Sequence, residues 1–180
     1  MDWLEEVREK CKRKNQVLFT RDTPLFQGLR ILREGQSRQV LVLWALDLAE
    51  EGVLELEARL PGEERPRQAL EAARLWAEGK IKMPLARRAI LDCHALAKTL
   101  EDPADIALCH GVGQACSVVH TTGHALGYPI YALTALVRRL GVDHCREAVE
   151  GQVQHYVDQL FFWQEHLSDQ PREWAGFLRR

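Results

Sequence analysis

The sequence predicts an all-α fold: one domain spanning residues 1–180, built as an orthogonal or solenoid-like array of roughly seven to eight helices. Three observations carry this. Strand-type alternation is nearly absent. Apolar residues recur three and four positions apart, the spacing that places them on one helix face. Glycine or proline falls between the periodic blocks, where helices stop and start. A chain of 180 residues suffices for one real core and is short for two.

The elements follow in order. Asp2 to Lys14 reads as an amphipathic helix whose basic end, Lys12-Arg13-Lys14, suits a helix C-terminus. A mixed stretch follows, with a short helix expected after Thr23-Pro24. Ser37 can cap a long helix reaching Leu60, where Pro61-Gly62 ends it and Gly52 is a possible kink. Glu64-Arg65-Pro66 starts the next helix, with proline where no amide hydrogen is needed, and Gly79 ends it. Met83-Pro84 opens a helix to about Leu100, and Asp102-Pro103 opens another through about Thr121. Gly123, Gly127 and Pro129 punctuate the passage into a helix ending near Leu140-Gly141. Asp143 is expected to cap a long helix, residues 143–167, and Pro171 to start a short last one. No fixed repeat period is present, which argues against a regular repeat protein.

Composition narrows the function. With 24 basic and 26 acidic residues the chain carries a formal charge of −2, so a nucleic-acid partner is not expected. The most apolar run, Val40 to Leu46, is stopped by Asp47, far short of a membrane span. The opening residues are acidic where a secretory signal would be basic and then apolar. The five cysteines form no C-x-x-C pair and read as reduced, mostly core thiols. A cytoplasmic protein is the expectation.

The candidate site is a polar cluster. Asp47 lies in a segment apolar on nearly every side, so its carboxylate is expected to be buried and paired to a guanidinium. Arg67 is the first candidate, with Arg74, Arg87 and Arg88 following in sequence. Glu71 and Arg74 stand one turn apart. His120 and His124 are spaced to share one helix face, unless Gly123 breaks the helix between them. They read first as packed rings bonded to neighbouring carboxylates, and one of them is expected near Asp47. With Cys116 one step earlier, they are also the residues that would ligate a metal, with Asp47, Glu71 or His94 completing the shell. That set falls short of a zinc motif: Thr121 sits where H-E-x-x-H needs glutamate, so neither metal nor cofactor is expected. Gly111-Val112-Gly113 follows no strand and lacks a third glycine, so it is not a phosphate loop. The acidic stretch from Asp47 to Glu64 offers a face for steering a basic partner. The cluster of Phe161, Phe162, Trp163 and Trp174 reads mainly as core.

The motifs also resemble a known family. Trp44-Ala45-Leu46-Asp47-Leu48-Ala49-Glu50 is similar to its W-A-x-D-x-A-E helix. The segment Glu64-Arg65-Pro66-Arg67, with Ala69, Glu71-Ala72, Arg74, Trp76 and Gly79, is similar to its D-x-R-P-R-x-A-I-E-A-x-R-x-W-x-x-G block, with Glu64 replacing aspartate. Ala86-Arg87 and Cys93-His94-Ala95 match its A-R…A-H-A helix, and His120 to Ala125 followed by Tyr131-Ala132 its H-x-x-x-H-A…Y-A block. The chain thus resembles, over about residues 40–140, the all-helical putative immunity proteins of the family five type from bacterial polymorphic-toxin systems. The resemblance implies a small non-catalytic protein that binds and neutralises a cognate toxin, with no cofactor. Two other classes remain open from the residues: a metal-dependent helical enzyme using His120 and His124, and a structural or homo-oligomeric helical module.

Overall fold

The structure, a computed structural model, describes residues 2–180. Among the described residues every regular element is helical: α1 (Trp3–Lys12), α2 (Gln27–Glu34), α3 (Arg38–Arg59), α4 (Arg65–Ala77), α5 (Met83–Leu96), α6 (Pro103–Ser117), α7 (Gly127–Leu140) and α8 (Arg146–His166), with four short 3-10 turns.

Helix starts follow the capping residues. The Asp2 carboxylate accepts from the Leu4 amide, Ser37 Oγ from that of Val40, and the Asp102 carboxylate from those of Ala104 and Asp105. Pro66, Pro84 and Pro103 occupy first-turn positions. Two expectations fail at the C-terminal end. Asp143 caps nothing: α8 begins at Arg146, and Asp143 binds Arg8 of α1 at 2.9 Å. Pro171 opens no helix, and the tail forms one 3-10 turn at Gly176–Leu178. The tail is held by a hydrogen bond from the Ala175 amide to the Ala77 carbonyl, 2.7 Å, at the end of α4.

Two helices form the centre. Helix α3 is apolar nearly all round and buries eleven residues from Val40 to Leu56, as a core helix must. Helix α6 achieves the same with small side chains, Ala104, Ala107, Cys109, Gly111, Ala115 and Cys116 among them. The others pack round this pair: α4 and α5 on one side, α7 and α8 on the other. Because α3 meets α4, α6, α7 and α8, the array is not a neighbour-only stack. Gly52 does not interrupt α3. A Cβ there would stand 2.8 Å from the Tyr128 hydroxyl, so the glycine admits the α7 tyrosine against the central helix. One contiguous core runs from Trp3 to Leu178. No helix among the described residues is long and apolar enough to cross a membrane.

Candidate functional site

The polar residues singled out from the sequence fall in three places. The first is an ion-pair network between α3 and α4. Glu50 takes Arg67 Nη1 and Arg74 Nη2, both at 2.7 Å; Arg67 also binds Glu57 at 2.8 Å, and Arg74 binds Glu71 at 2.8 Å. Burial pushes the Glu50 carboxyl up, but the hydrogen bonds from Arg67 and Arg74 outweigh it and hold the group below the usual range. The Glu57 bond likewise raises Arg67 above its ordinary value.

The second place holds Asp47, which is outside this network, and the expected Asp47–guanidinium pair does not form. The residue is only half-buried and accepts from the Trp163 indole at 3.2 Å. It stops short of Arg67 because its helical position turns it toward α8, while Glu50, one turn on, faces α4. The fully buried carboxylate is one the sequence reading missed. Asp105, its side chain 6% exposed, sits between Arg59 and Arg139. Its place in the first turn of α6 is where an acid is unremarkable on the surface, which masked it. Arg88 is exposed and joins no ion pair or hydrogen bond among the described residues.

The acidic stretch from Asp47 to Glu64 is also largely compensated. Glu50 and Glu57 are paired as above, Glu55 with Arg139, and Glu63 with Arg65, while Glu51 meets the His155 ring. It is therefore not a free negative face.

The third place is a cleft of about 370 Å³ between α5 and the segment after α6. Here α5 presents Met83, Arg87 and Leu91 at i, i+4 and i+8, with His94 one turn beyond. Ile90 of α5, Gln114 and Ser117 of α6, His120, His124 and Trp76 complete it. The two histidines do not share a helix face. Helix α6 ends at Ser117, and His124 lies in a separate 3-10 turn, Thr122–His124. His120 is exposed and stacks on Trp76, centroids 6.1 Å apart. His124 Nδ1 meets Gln114 Oε1 at 2.9 Å. Neither is bonded to a carboxylate, and neither reaches the Glu50 network.

His94 supplies the closest contact. Its Nδ1 stands 2.8 Å from Nδ1 of His110, so one ring donates and the other accepts. His110, absent from the sequence-based set because its only relation to His94 is tertiary, packs in turn on Tyr131. The His94 ring lies against Gly113 and takes the space that a side chain there would need. Burial, then repulsion from His110 and His124, lowers His94 to about 4. Burial also lowers His110 and, with Arg21 and His120 adding repulsion, His124.

Three guanidiniums fix the segment bearing His120 and His124. Arg38 donates to the carbonyl of His120, Arg33 to that of Thr122, and Arg21 to that of Gly123, at 3.4, 3.4 and 3.0 Å. No group of three His, Cys, Asp or Glu side chains among the described residues is arranged to hold a metal ion, so His120, His124 and Cys116 are not assembled as ligands. Cys116 is buried in the core, where desolvation pushes its thiol up to about 12.

A family model described as "Imm-5 like putative immunity protein" matches residues 32–159 of the chain. No curated protein and no solved structure matches it.

Proposed function

Since the chain belongs to the Imm-5-like putative immunity protein family, we propose that it acts in the bacterial cytoplasm as part of a polymorphic-toxin system, binding a cognate toxin protein and neutralising it without catalysis. The observation that carries the reading to a place on the molecule is the open side of α5. Met83 and Leu91 are 39% and 53% exposed there, beside a formed cleft. Large apolar side chains left in water along the rim of a formed cleft are what a protein partner covers.

The chemistry of the interior fits a binder better than a nucleophilic enzyme. Cys93, Cys109 and Cys116 are buried, and desolvation raises all three thiols, so the thiolate is disfavoured. His94 and His110 turn their Nδ1 atoms on each other. The test is co-expression with the toxin-like product of an adjacent gene, followed by co-purification and a survival assay. Leu91→Asp should abolish capture and protection, while Leu54→Asp, at an equally exposed leucine on α3 outside the cleft, should not. A wild-type chain that neither captures nor protects against the adjacent toxin would overturn the proposal.

A further inference from the structure

The lining of the α5 cleft is polar without being acidic. It holds one guanidinium, three imidazoles, an amide and a hydroxyl, and no carboxylate. The contrast is with the arginines on and beside α3 and α4. Arg59, Arg65, Arg67 and Arg74 are each neutralised by Asp or Glu. Arg87, at the cleft rim, is exposed and makes no ion pair or hydrogen bond among the described residues. Arg21, Arg33 and Arg38, behind the His120–His124 segment, spend their donors on backbone carbonyls, which leaves their charge uncompensated. Positive charge therefore collects around one concave, partly apolar surface, which focuses the field there.

We infer that this cleft receives a carboxylate side chain, carried beside an apolar residue on the protein partner: the acid meets Arg87 and the imidazoles while its neighbour covers Met83 and Leu91. The inference rests on the toxin-binding reading and supplies the partner's chemistry. A single Asp or Glu matches one free guanidinium with donors behind it. A polyanion does not, since a chain of net charge −2 carries no basic excess for an extended track.

Two arms separate this inference from the function it builds on. In the first, the full chain is titrated with N-acetyl-Leu-Glu-amide and N-acetyl-Leu-Gln-amide, and the histidine ring resonances are followed by NMR. The Glu peptide should shift His94, His120 and His124 saturably and the Gln peptide should not. R87E should weaken the Glu peptide by at least about tenfold, R87Q should fall between, and R88E, one residue away and outside the lining, should match wild type. Equal responses to the two peptides, or none to either, overturn the inference whatever the toxin does. In the second arm, the toxin is bound to wild type, R87E and R88E. Toxin capture that R87E leaves unchanged also overturns the carboxylate inference while the immunity function stands. Failure of the wild type to capture toxin, with the peptide result positive, removes the function and leaves the cleft's preference.

Discussion

Replacing Gly113 by alanine tests the geometry of the cleft wall with one methyl group. The added Cβ would stand 2.3 Å from Nε2 of His94, 2.6 Å from Cε1 and 2.8 Å from Cδ2. Ordinary carbon contacts lie near 3.5–4.0 Å, so the whole ring face is blocked and the imidazole must leave. Leaving breaks the 2.8 Å bond to His110, worth about 1 kcal/mol, and disturbs the packing for about 1–2 kcal/mol more. Against this, alanine is favoured over glycine within a helix by about 1 kcal/mol. The net expectation is a loss of about 1–2 kcal/mol in the otherwise native protein. In a His94→Ala background the obstacle is gone and only the propensity remains, so Gly113→Ala should stabilise by about 0.5–1 kcal/mol. The substitution thus reverses sign, with a coupling of about 2–3 kcal/mol between the two positions. Urea denaturation of the four proteins at pH 7.5, where His94 is neutral, reads this directly. A Gly113→Ala effect of the same sign and size in both backgrounds would refute the placement of the His94 ring on Gly113.

Four further outcomes follow from the described contacts. His94 is depressed from 6.5 to about 4, so the unfolded chain takes up the proton first; its contribution is complete above pH 6.5, declines as pH falls toward 4 and levels off below. Its size is about 1–2 kcal/mol after allowance for solvent screening of a half-buried ring, and His94→Gln should flatten that part of the stability–pH curve relative to wild type. Glu50→Gln should lower stability by about 1–2 kcal/mol because two arginines lose their shared acceptor, whereas Asp47→Ala, which gives up one indole bond, should cost under about 1 kcal/mol; thermal melts rank them. Asp105→Ala should be the most damaging of the carboxylate changes, about 3 kcal/mol by urea denaturation, since Arg59 and Arg139 both lose a buried partner. Ellman's reagent should label Cys11 in the native protein and reach Cys93, Cys109, Cys116 and Cys145 only after unfolding.

The helices were legible because their signals are local. Ser37, Asp102 and the first-turn prolines declare their starts, and the spacing of apolar residues declares their faces. The ion pairs were legible only as a composition. Asp47 and Glu50 are three residues apart on one helix, and which of them faces α4 depends on the angle at which α4 packs on α3. The same limit hid the His94–His110 contact, whose members sit on different helices sixteen residues apart. The glycines at 111 and 113 were correctly denied a phosphate-loop role, but their use as a seat for a tyrosine and a histidine exists only once α5, α6 and α7 have met. The failure to keep His120 and His124 on one helix is local: with Gly123 between them and α6 closing at Ser117, the four-residue spacing spans a turn.

The C-terminal tail gives the cleft a place in time. Phe177 packs on Trp76, the Ala175 amide closes on the end of α4, and the carbonyls of Phe177 and Leu178 take donors from Arg38 and Gln39. Residues from the beginning, middle and end of the chain therefore meet beside the histidines. Such closures are the slow kind, because most of the polypeptide must be ordered before they form. The wall behind Trp76 is therefore completed late in folding, after the helices that it joins have formed. A partner that reads the completed cleft consequently meets a wall braced by residues 175–178, none of which lines the cleft itself.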